Sequence, residues 1–475
     1  MRLEPDQIAN LLGWWEKEDG PLFRRLADGL RRLAEEGYLV DGSPLPPERQ
    51  LAHALAVSRN TVTTAYASLR TEGWIEARQG SVTRIATSRT SNAAVHRADG
   101  VMATMLRDLG SASIDLTVAA PTAAPIVTRS FSEPSSLLED PGALTEGHGY
   151  HSAGHPRLRL AVADLLGAQG LPTSGDEVMI TNGAQQAISL LMTELIRPGT
   201  GLAIEEVTYP GLIDLALRSG APMHLLPVGR EGADLTALQA ACRTGRVGAA
   251  FLVPDFHNPT GAVMSSGTRG MLVDLAHEED FVIVDDRTHS DLDHGTPTPP
   301  PLASFDDQSR VATIGGMSKL YWGGLRIGWI RARSSLINRL IQQKACNDLG
   351  TSAPAQIIAA ELLCRHHEAT REWRNERLRR SLDALESALR SSMPDAEWDR
   401  PAGGPNLWIR LPGTNALDFS HRALRAGVAV IAGPLLSCRP GRATDRIRIP
   451  FYAEPATVTE AVTRLAHCWA GMAGR

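Results

Sequence analysis

Lysine is nearly missing from this sequence of 475 residues: Lys17, Lys319 and Lys344 are the only three, and arginine supplies the rest of the basic charge. Cysteine is scarce as well, and the five cysteines are scattered without a Cys-x-x-Cys pair. This pattern argues against a disulfide framework and a structural zinc site, so we expect no metal and reduced thiols in a cytoplasm. The chain also lacks an apolar run of about 18 residues and an N-terminal apolar core, which argues against a membrane span and a signal peptide.

An excess of positive charge is missing too. The formal net charge is -5 and the pI is about 6.3, so any contact with nucleic acid must come from a local patch. With 43% hydrophobic and 21% charged residues, the composition is that of a globular protein. The length predicts two or more domains.

The first part of the chain, residues 1–86, has the pattern of three short helices and a hairpin. Leucines at helical spacing mark the first helix, Ser58 can cap the third, and Gln79-Gly80 suits the hairpin turn. The predicted helices are 21–36, 48–56 and 58–72, and the predicted hairpin is 74–86. Helices and hairpin in this order predict a winged helix-turn-helix.

The third helix has an apolar stripe of Val62, Tyr66 and Leu69 and a polar outer face, as a helix in the major groove requires. Side chains that could contact base edges or phosphates are Arg49, Arg59, Asn60, Thr61, Thr64 and Arg78. The alternative is a small helical protein-interaction domain. Charge does not decide between the two, because residues 1–90 hold about as many acids as bases.

The segment LPPERQLAHALAVSRNTVTTAYASLRTEGWIEARQGSVTRIA resembles the GntR-type winged helix, and the resemblance extends over residues 21–86. It implies that the helix beginning at Ser58 reads DNA. It also implies that the wing, with Arg78, Gln79 and Gly80, grips the minor groove or the backbone.

Residues 87–112 are poor in aliphatic runs and are predicted to form a linker that could end in a short helix. Beyond them, short apolar runs such as AAFLVPD and DFVIVDD alternate with helical segments. This alternation predicts an α/β domain with a largely parallel sheet over residues 113–475. Its last part, about 368–475, has a long polar helix followed by strands, and is predicted to be a smaller α+β subdomain.

The three lysines differ in their surroundings. Lys17 lies in an acidic segment and Lys344 on a polar stretch, whereas Lys319 follows an apolar strand and a turn of small residues. The segment around it, GGMSKLYWGGLRIGWI, resembles the lysine segment of fold type I aminotransferases, which hold pyridoxal 5′-phosphate (PLP). The resemblance implies that Lys319 forms the internal aldimine and that Arg326, with Ser318, contacts the phosphate.

Two adjacent acids end the strand DFVIV, where ligands bind an open sheet. Aligning VDDRTHSDL with the aminotransferase family by its closing Leu292 assigns Asp286 to the pyridine nitrogen, with Asp285 as the fallback. The alternative is that both are surface acids in a turn.

Other motifs imply contacts to the ring hydroxyl, the ring face, the phosphate, a neighbouring subunit's phosphate and a ligand carboxylate. In that order they are Asn258 in HNPTG, Tyr209 in VTYPG, Gly183, Ala184 and Gln185 in TNGAQQAI, Tyr150 in HGYHSAGHPRLR, and Arg448 in DRIRIPF. Arg446 is expected on the opposite face of the strand that carries Arg448.

Two features depart from the family pattern. Thr288 and His289 stand where the family commonly has a tyrosine bonded to the ring oxygen, and Gly316 stands where Ser or Thr is frequent. Both departures weigh against efficient transamination, although the lysine, the acid and the arginine remain.

A GntR-type reader fused to a fold type I aminotransferase domain resembles the MocR family of bacterial transcriptional regulators. The resemblance implies a double-stranded DNA operator and a head-to-tail homodimer. It also implies a domain that senses an amine, an amino acid or PLP through aldimine exchange at Lys319. The alternatives are an active aminotransferase with an accessory DNA-binding domain, and an aminotransferase fold that serves only for dimerisation.

Overall fold

The structure, a computed structural model, describes residues 4–12, 15, 20–35, 39, 43–71, 74–76, 83–85, 101–106, 113–132, 147–296, 298–439 and 441–473. No helix in these ranges is long and apolar enough to cross a membrane.

The helices of these ranges are α1 (Pro5–Leu12), α2 (Leu22–Glu35), α3 (Glu48–Ala54), α4 (Arg59–Thr71), α5 (Val101–Met105), α6 (Pro125–Ser132), α7 (Pro156–Ala168), α8 (Ala184–Leu195), α9 (Pro210–Ser219), α10 (Leu235–Thr244), α11 (Ser266–Glu278), α12 (Ser334–Asp348), α13 (Ala353–Ser392), α14 (Ala416–Arg425) and α15 (Pro455–Ala473). The strands are β1 (Ile75–Glu76), β2 (Arg84–Ile85), β3 (Ile114–Leu116), β4 (Val178–Thr181), β5 (Gly201–Glu205), β6 (Met223–Leu226), β7 (Val228–Gly229), β8 (Gly232–Ala233), β9 (Val247–Leu252), β10 (Val282–Asp286), β11 (Val311–Gly316), β12 (Gly328–Arg331), β13 (Asn406–Arg410), β14 (Val428–Ala432) and β15 (Arg446–Pro450).

The N-terminal helices share a core of their own. Helices α2, α3 and α4 match the three predicted helices, and β1 and β2 pair antiparallel as the predicted hairpin. The stripe of Val62, Tyr66 and Leu69 is buried in that core, and the Tyr66 hydroxyl donates to the Pro46 carbonyl at 2.9 Å. Ser58 caps α4, because its Oγ accepts from the Thr61 amide at 3.1 Å. The predicted winged helix-turn-helix order is therefore present, preceded by α1.

The large sheet has the strand order β4-β12-β11-β10-β9-β5-β6. Its strands are parallel except β12, which pairs antiparallel with both neighbours, so the predicted largely parallel sheet is confirmed. Helices α8, α9 and α12 cover one face, whereas α7, α10 and α11 cover the other. Burial on both faces explains why the strand sequences are mostly apolar.

The small sheet and the long helix before it both begin earlier in the chain than predicted. The order of the sheet is β13-β15-β14-β3, so residues 114–116 belong to it through parallel pairing with β14. The long helix predicted to start near 368 is α13, which begins at Ala353 and is continuous over 40 residues. The small subdomain therefore takes a strand from the N-terminal side, because parallel pairing joins segments far apart in sequence.

Helix α5 lies within residues 87–112, where a short helix at the end of the linker was expected. The N-terminal helices α1 and α3 pack against α14 of the small subdomain. Arg425 donates to the Ala56 carbonyl at 3.0 Å, and His53 lies 3.8 Å from the Asp418 carboxylate.

Candidate functional site

The carboxyl ends of four neighbouring strands carry the predicted site residues. Tyr209 follows β5, Asn258 follows β9, Asp286 ends β10 and Lys319 follows β11. These four strands are adjacent and parallel, so their carboxyl ends meet at one edge of the sheet.

Lys319 lies in a single π-helical turn, 318–322, directly after β11. Its Nζ donates to the Ala119 carbonyl at 2.6 Å. Burial, with the nearby positive charge of Arg448, lowers the pKa of Lys319 to about 8, against the opposing effect of Asp286. The amine therefore has a larger neutral, nucleophilic fraction near physiological pH than an ordinary lysine.

Asp285 and Asp286 face opposite sides of the sheet, since side chains alternate along a strand. Val284 and Tyr209 belong to the α8–α9 side, and Asp286 lines a small cavity with both of them. Asp286 accepts from the Thr288 amide at 3.0 Å, and Lys319 counteracts the burial that raises its pKa. Of the two acids, Asp286 is thus the one on the side of the lysine.

The N-terminus of α8 forms a cradle with Arg326. Gly183 is the N-cap residue with φ 79°, and a Cβ there would lie 2.9 Å from Arg326 Nη2. Arg326 donates to the Asn182 carbonyl at 2.6 Å. The first amides of a helix, here those of Ala184 and Gln185, have no intrahelical acceptor, so the cradle combines free N–H groups with a guanidinium.

Arg448 is buried at 1% exposure. Its Nη1 donates to Asn258 Oδ1 at 3.3 Å and its Nη2 to the Thr117 carbonyl. Its Nε has no acceptor among the described residues, and none of their carboxylates pairs with it. A buried guanidinium with a free donor suits a ligand carboxylate. Asn258 accepts with its oxygen, so its NH2 group is available as a donor.

Arg446 lies on the same face of β15 as Arg448, and the expectation of opposite faces is wrong. Residues two apart in a strand point to the same side. Its guanidinium sits 6.0 Å from the ring of Trp408, and Trp408 is the residue paired with Arg448 across the sheet.

Tyr150 and Ser318 were also nominated as phosphate ligands. Tyr150 is 62% exposed and stacks on His148, so within this chain it is a surface residue. Ser318 is half-buried at the start of the lysine turn. Their roles as phosphate ligands stay predictions.

Several buried residues around the site were not nominated from the sequence. His289 is 3% exposed, its ring nitrogen Nδ1 lies 3.1 Å from the Phe256 carbonyl, and burial, reinforced by Lys319, lowers its pKa to about 3. Glu205 and His257 form a buried pair at 3.2 Å. The end of a strand, in GLAIEE, was the signal that could have indicated Glu205.

Lys344 is fully buried, although its sequence surroundings are polar. Its Nζ bonds both oxygens of Asp348, at 2.6 and 2.7 Å. Asp348 also accepts from Asn182 and Gln186, each at 2.7 Å. Lys344 thus braces the loop before α8 and is already committed to an ion pair.

The candidate DNA-contacting face belongs to α4. Arg49, Ser58, Arg59 and Asn60 are exposed, whereas Thr61 and Thr64 are half-buried. Thr63, which was not nominated, is exposed instead, and its hydroxyl donates to Glu48 at 2.9 Å. Glu48 also lies 3.3 Å from Arg59. Arg78, Gln79 and Gly80 lie outside the described residues.

These residues fit PLP. The cradle at Gly183 and Arg326 suits a phosphate, Asp286 suits a pyridinium nitrogen, and the depressed pKa of Lys319 suits reaction with an aldehyde. The buried, unfilled donor of Arg448 suits an amino-acid carboxylate.

Comparison with known proteins agrees with this arrangement. The family model described as aminotransferase class I and II matches residues 140–465, and the one described as bacterial regulatory proteins, gntR family, matches residues 22–85. The uncharacterized HTH-type transcriptional regulator YisV of Bacillus subtilis is 28% identical over 428 residues, which are 84% of this chain and 86% of that protein. The probable rhizopine catabolism regulatory protein MocR of Rhizobium meliloti is 32% identical over 327 residues, 66% of this chain and 65% of that protein. The crystal structure of LysN, the alpha-aminoadipate aminotransferase of Thermus thermophilus complexed with N-(5′-phosphopyridoxyl)-L-leucine, has a TM-score of 0.71 at 26% identity and covers 78% of this chain and 95% of that chain.

Proposed function

Because the chain belongs to the class I and II aminotransferase family and carries a GntR-type domain of the MocR kind before it, we propose that it is a transcriptional regulator that senses an amine, an amino acid or PLP at Lys319. The observation that supports this most is the presence of both sites on one chain. The chain carries an exposed polar face on α4 and, in its second domain, residues that suit PLP.

Each residue of the set has a task in this proposal. Gly183, Ala184, Gln185 and Arg326 hold the phosphate, Tyr209 covers the ring, and Asn258 donates to the ring hydroxyl. Asp286 keeps the pyridine nitrogen protonated, and Lys319 holds the aldehyde covalently. When bound, PLP supplies an aldehyde carbon that can exchange one amine for another. Arg448 then selects ligands with a carboxylate.

A homodimer belongs to the same proposal. Tyr150 points outward at 62% exposure, and a second copy offers the place where its hydroxyl could meet a phosphate. Operators read by paired winged helices have two half-sites. Sedimentation of the PLP-loaded protein as a monomer at micromolar concentration would contradict the dimer.

The test of the cofactor site is a visible absorbance spectrum before and after borohydride. We expect a band that borohydride bleaches and that Lys319→Ala lacks, while Lys17→Ala serves as the matched control and keeps it. No band after addition of PLP would overturn the cofactor assignment.

The test of regulation measures the affinity of the protein for double-stranded DNA selected from a random library, with and without PLP and amines. An affinity that none of these additions changes would contradict sensing.

An active aminotransferase is the second candidate, and the lowered pKa of Lys319 together with the unfilled Arg448 donor favours it. Steady-state assays with several amino donors and keto acids separate the two. Sustained turnover would identify an enzyme, whereas a single exchange without turnover would identify a sensor.

A further inference from the structure

The turn that carries Lys319 is held from outside by two side chains. Carbonyls at the end of a helical turn have no partner inside the turn, and here three successive ones are bonded by side chains instead. The Lys319 carbonyl accepts from the Tyr452 hydroxyl at 3.0 Å. The Leu320 and Tyr321 carbonyls accept from Nε and Nη2 of Arg374, at 3.0 and 3.3 Å. Arg374 and Tyr452 thus fix the main chain of the lysine turn.

Arg374 also holds the segment that the Lys319 amine contacts. The second proton of its Nη2 is donated to the Thr122 carbonyl at 3.1 Å. Three residues earlier, the Ala119 carbonyl accepts from Lys319 Nζ at 2.6 Å. The lysine turn and this segment lie 200 residues apart in the chain, and one guanidinium bonds both of them. Arg374 therefore fixes the lysine main chain relative to the acceptor of the lysine amine.

Arg374 is buried without a counter-charge. The residue lies on α13 and is 2% exposed, and none of the carboxylates in the described ranges pairs with it. Burial lowers the pKa of Arg374 to about 10, which is still well above physiological pH, so a charged group stays in the interior through hydrogen bonds to carbonyls. Its guanidinium lies 5.8 Å from the ring centre of Tyr452. What this charge supplies is geometry, because a planar fork of donors bonds two segments in a fixed arrangement.

We propose that Arg374 and Tyr452 are positioning residues that place Lys319 Nζ for its reaction with the aldehyde of PLP. The inference rests on the proposed function, because only a ligand with an aldehyde needs this placement. In the reaction, Nζ forms a C=N bond with the aldehyde carbon, and the aldehyde oxygen leaves as water with the two amine protons. Such a bond depends steeply on placement, since a shift of about 1 Å can cost about a hundredfold. Each of the two residues acts through the lysine and not on PLP itself.

The experiment compares PLP with pyridoxine 5′-phosphate, which has an alcohol in place of the aldehyde and binds without a covalent bond. The Kd of each ligand is measured on the full-length protein freed of PLP, by absorbance for PLP and by fluorescence for pyridoxine 5′-phosphate. The ratio of the two Kd values reports the contribution of the covalent bond. Lys319→Ala gives the ratio in the absence of that bond.

Arg374→Lys and Tyr452→Phe are the variants, and Arg377→Lys is the matched control. Arg377 lies one turn further along α13 and pairs with Glu454 instead of the lysine turn. In both variants we expect the Kd of PLP to rise at least about fivefold, as for the loss of one hydrogen bond, and the Kd of pyridoxine 5′-phosphate to stay within about twofold. Arg377→Lys should leave both Kd values within about twofold.

An unchanged ratio in both variants would overturn the inference. This includes the case in which both ligands bind more weakly to the same extent, because a merely structural role weakens both. If Arg374→Lys does not fold, Tyr452→Phe decides, since it removes only a hydroxyl from a half-buried ring. If the unchanged protein binds neither ligand, the proposed function fails and the inference with it. If it binds both and the variants keep its ratio, the inference alone fails.

Discussion

Asp285 and Asp286 are neighbours in the chain but have different surroundings. Both oxygens of Asp285 are buried without a hydrogen-bond partner among the described residues. Its burial raises the pKa of Asp285 to about 7, against the opposing effect of Arg287. The fold therefore favours the protonated acid, and this residue reduces stability when it is ionised.

We expect Asp285→Asn to stabilise the protein at alkaline pH. The folded pKa lies above the ordinary value, so stability falls as pH rises from about 4 and the full penalty is present above about pH 7. At pH 8 the free energy of unfolding should rise by a few kcal/mol, and the change should vanish near pH 4. Urea denaturation at both values measures this; a destabilised variant at pH 8 would mean that the Asp285 carboxylate has a partner.

Asp286→Asn is expected to act on the cofactor instead. We expect its Kd for PLP to rise at least about tenfold, because a neutral amide no longer stabilises the pyridinium charge. Asp285→Asn should stay within about twofold and is the matched control. A titration followed by absorbance distinguishes them, and equal effects would return Asp285 to consideration as the ring partner.

The strand pattern left a choice between the two acids, and alternation against the neighbours on each face places Asp286 on the side of Lys319. Local sequence, together with the resemblance, singled out Lys319 as the candidate, because among the three lysines it alone follows an apolar strand. It was not enough for Lys344, whose acid partner lies one helical turn away but whose burial depends on packing of α12 against α8.

At the scale of elements, capping and periodicity predicted α2, α3 and α4 because those signals act within a few residues. Of the residues nominated on α4, Arg59 and Asn60 are exposed and Thr61 and Thr64 are half-buried, whereas Thr63, which was not nominated, is exposed. The pairing of β3 with β14 was missed, because three residues show no periodicity and the partner strand lies far along the chain, with Val428 opposite Ile114.

Arg59→Ala should weaken binding to selected DNA by about five- to tenfold, because the variant neutralises one phosphate fewer, and the slope of log affinity against log salt should be smaller by about 1. The Arg59 side chain is 71% exposed and pairs with Glu48, so a DNA phosphate would compete with the Glu48 carboxylate for the Arg59 guanidinium. Arg129→Ala, an exposed arginine on α6, is the control. An unchanged salt slope in Arg59→Ala would remove Arg59 from the interface.

At the scale of the whole molecule, the N-terminal helices and the small subdomain meet around Asp418. This carboxylate is 6% exposed, and burial, with Asp6 of α1 adding to it, raises its pKa to about 7. The docked arrangement thus favours protonated Asp418, and docking becomes weaker as pH rises from about 4 through 7.

Asp418→Asn should remove that pH dependence. Between pH 5 and pH 8 the unchanged protein should show faster hydrogen exchange in α14 at the higher pH, after correction for the intrinsic rate, whereas Asp418→Asn should show the same protection at both. Asp399→Asn, at a side chain 86% exposed, is the control. Equal pH dependence in Asp418→Asn and the unchanged protein would contradict the role of Asp418.

The order of the domains could be predicted from the sequence because each has its own pattern. How α1 and α3 sit on α14 could not, since the contact consists of a few side chains such as Arg425 and His53 with no sequence motif.

The small contact between the N-terminal helices and α14 has a consequence for concentration. Fifteen residues, 86–100, join Ile85 to Val101, and a span of that length reaches at most about 50 Å. The undocked domain therefore stays near α14 at an effective concentration on the order of millimolar. A contact too weak to be seen between separate molecules can then hold much of the population docked. A tenfold change in its strength moves the ratio of docked to undocked from about 3:1 to about 1:3. Dilution leaves that ratio unchanged, whereas cutting the chain within 86–100 abolishes it.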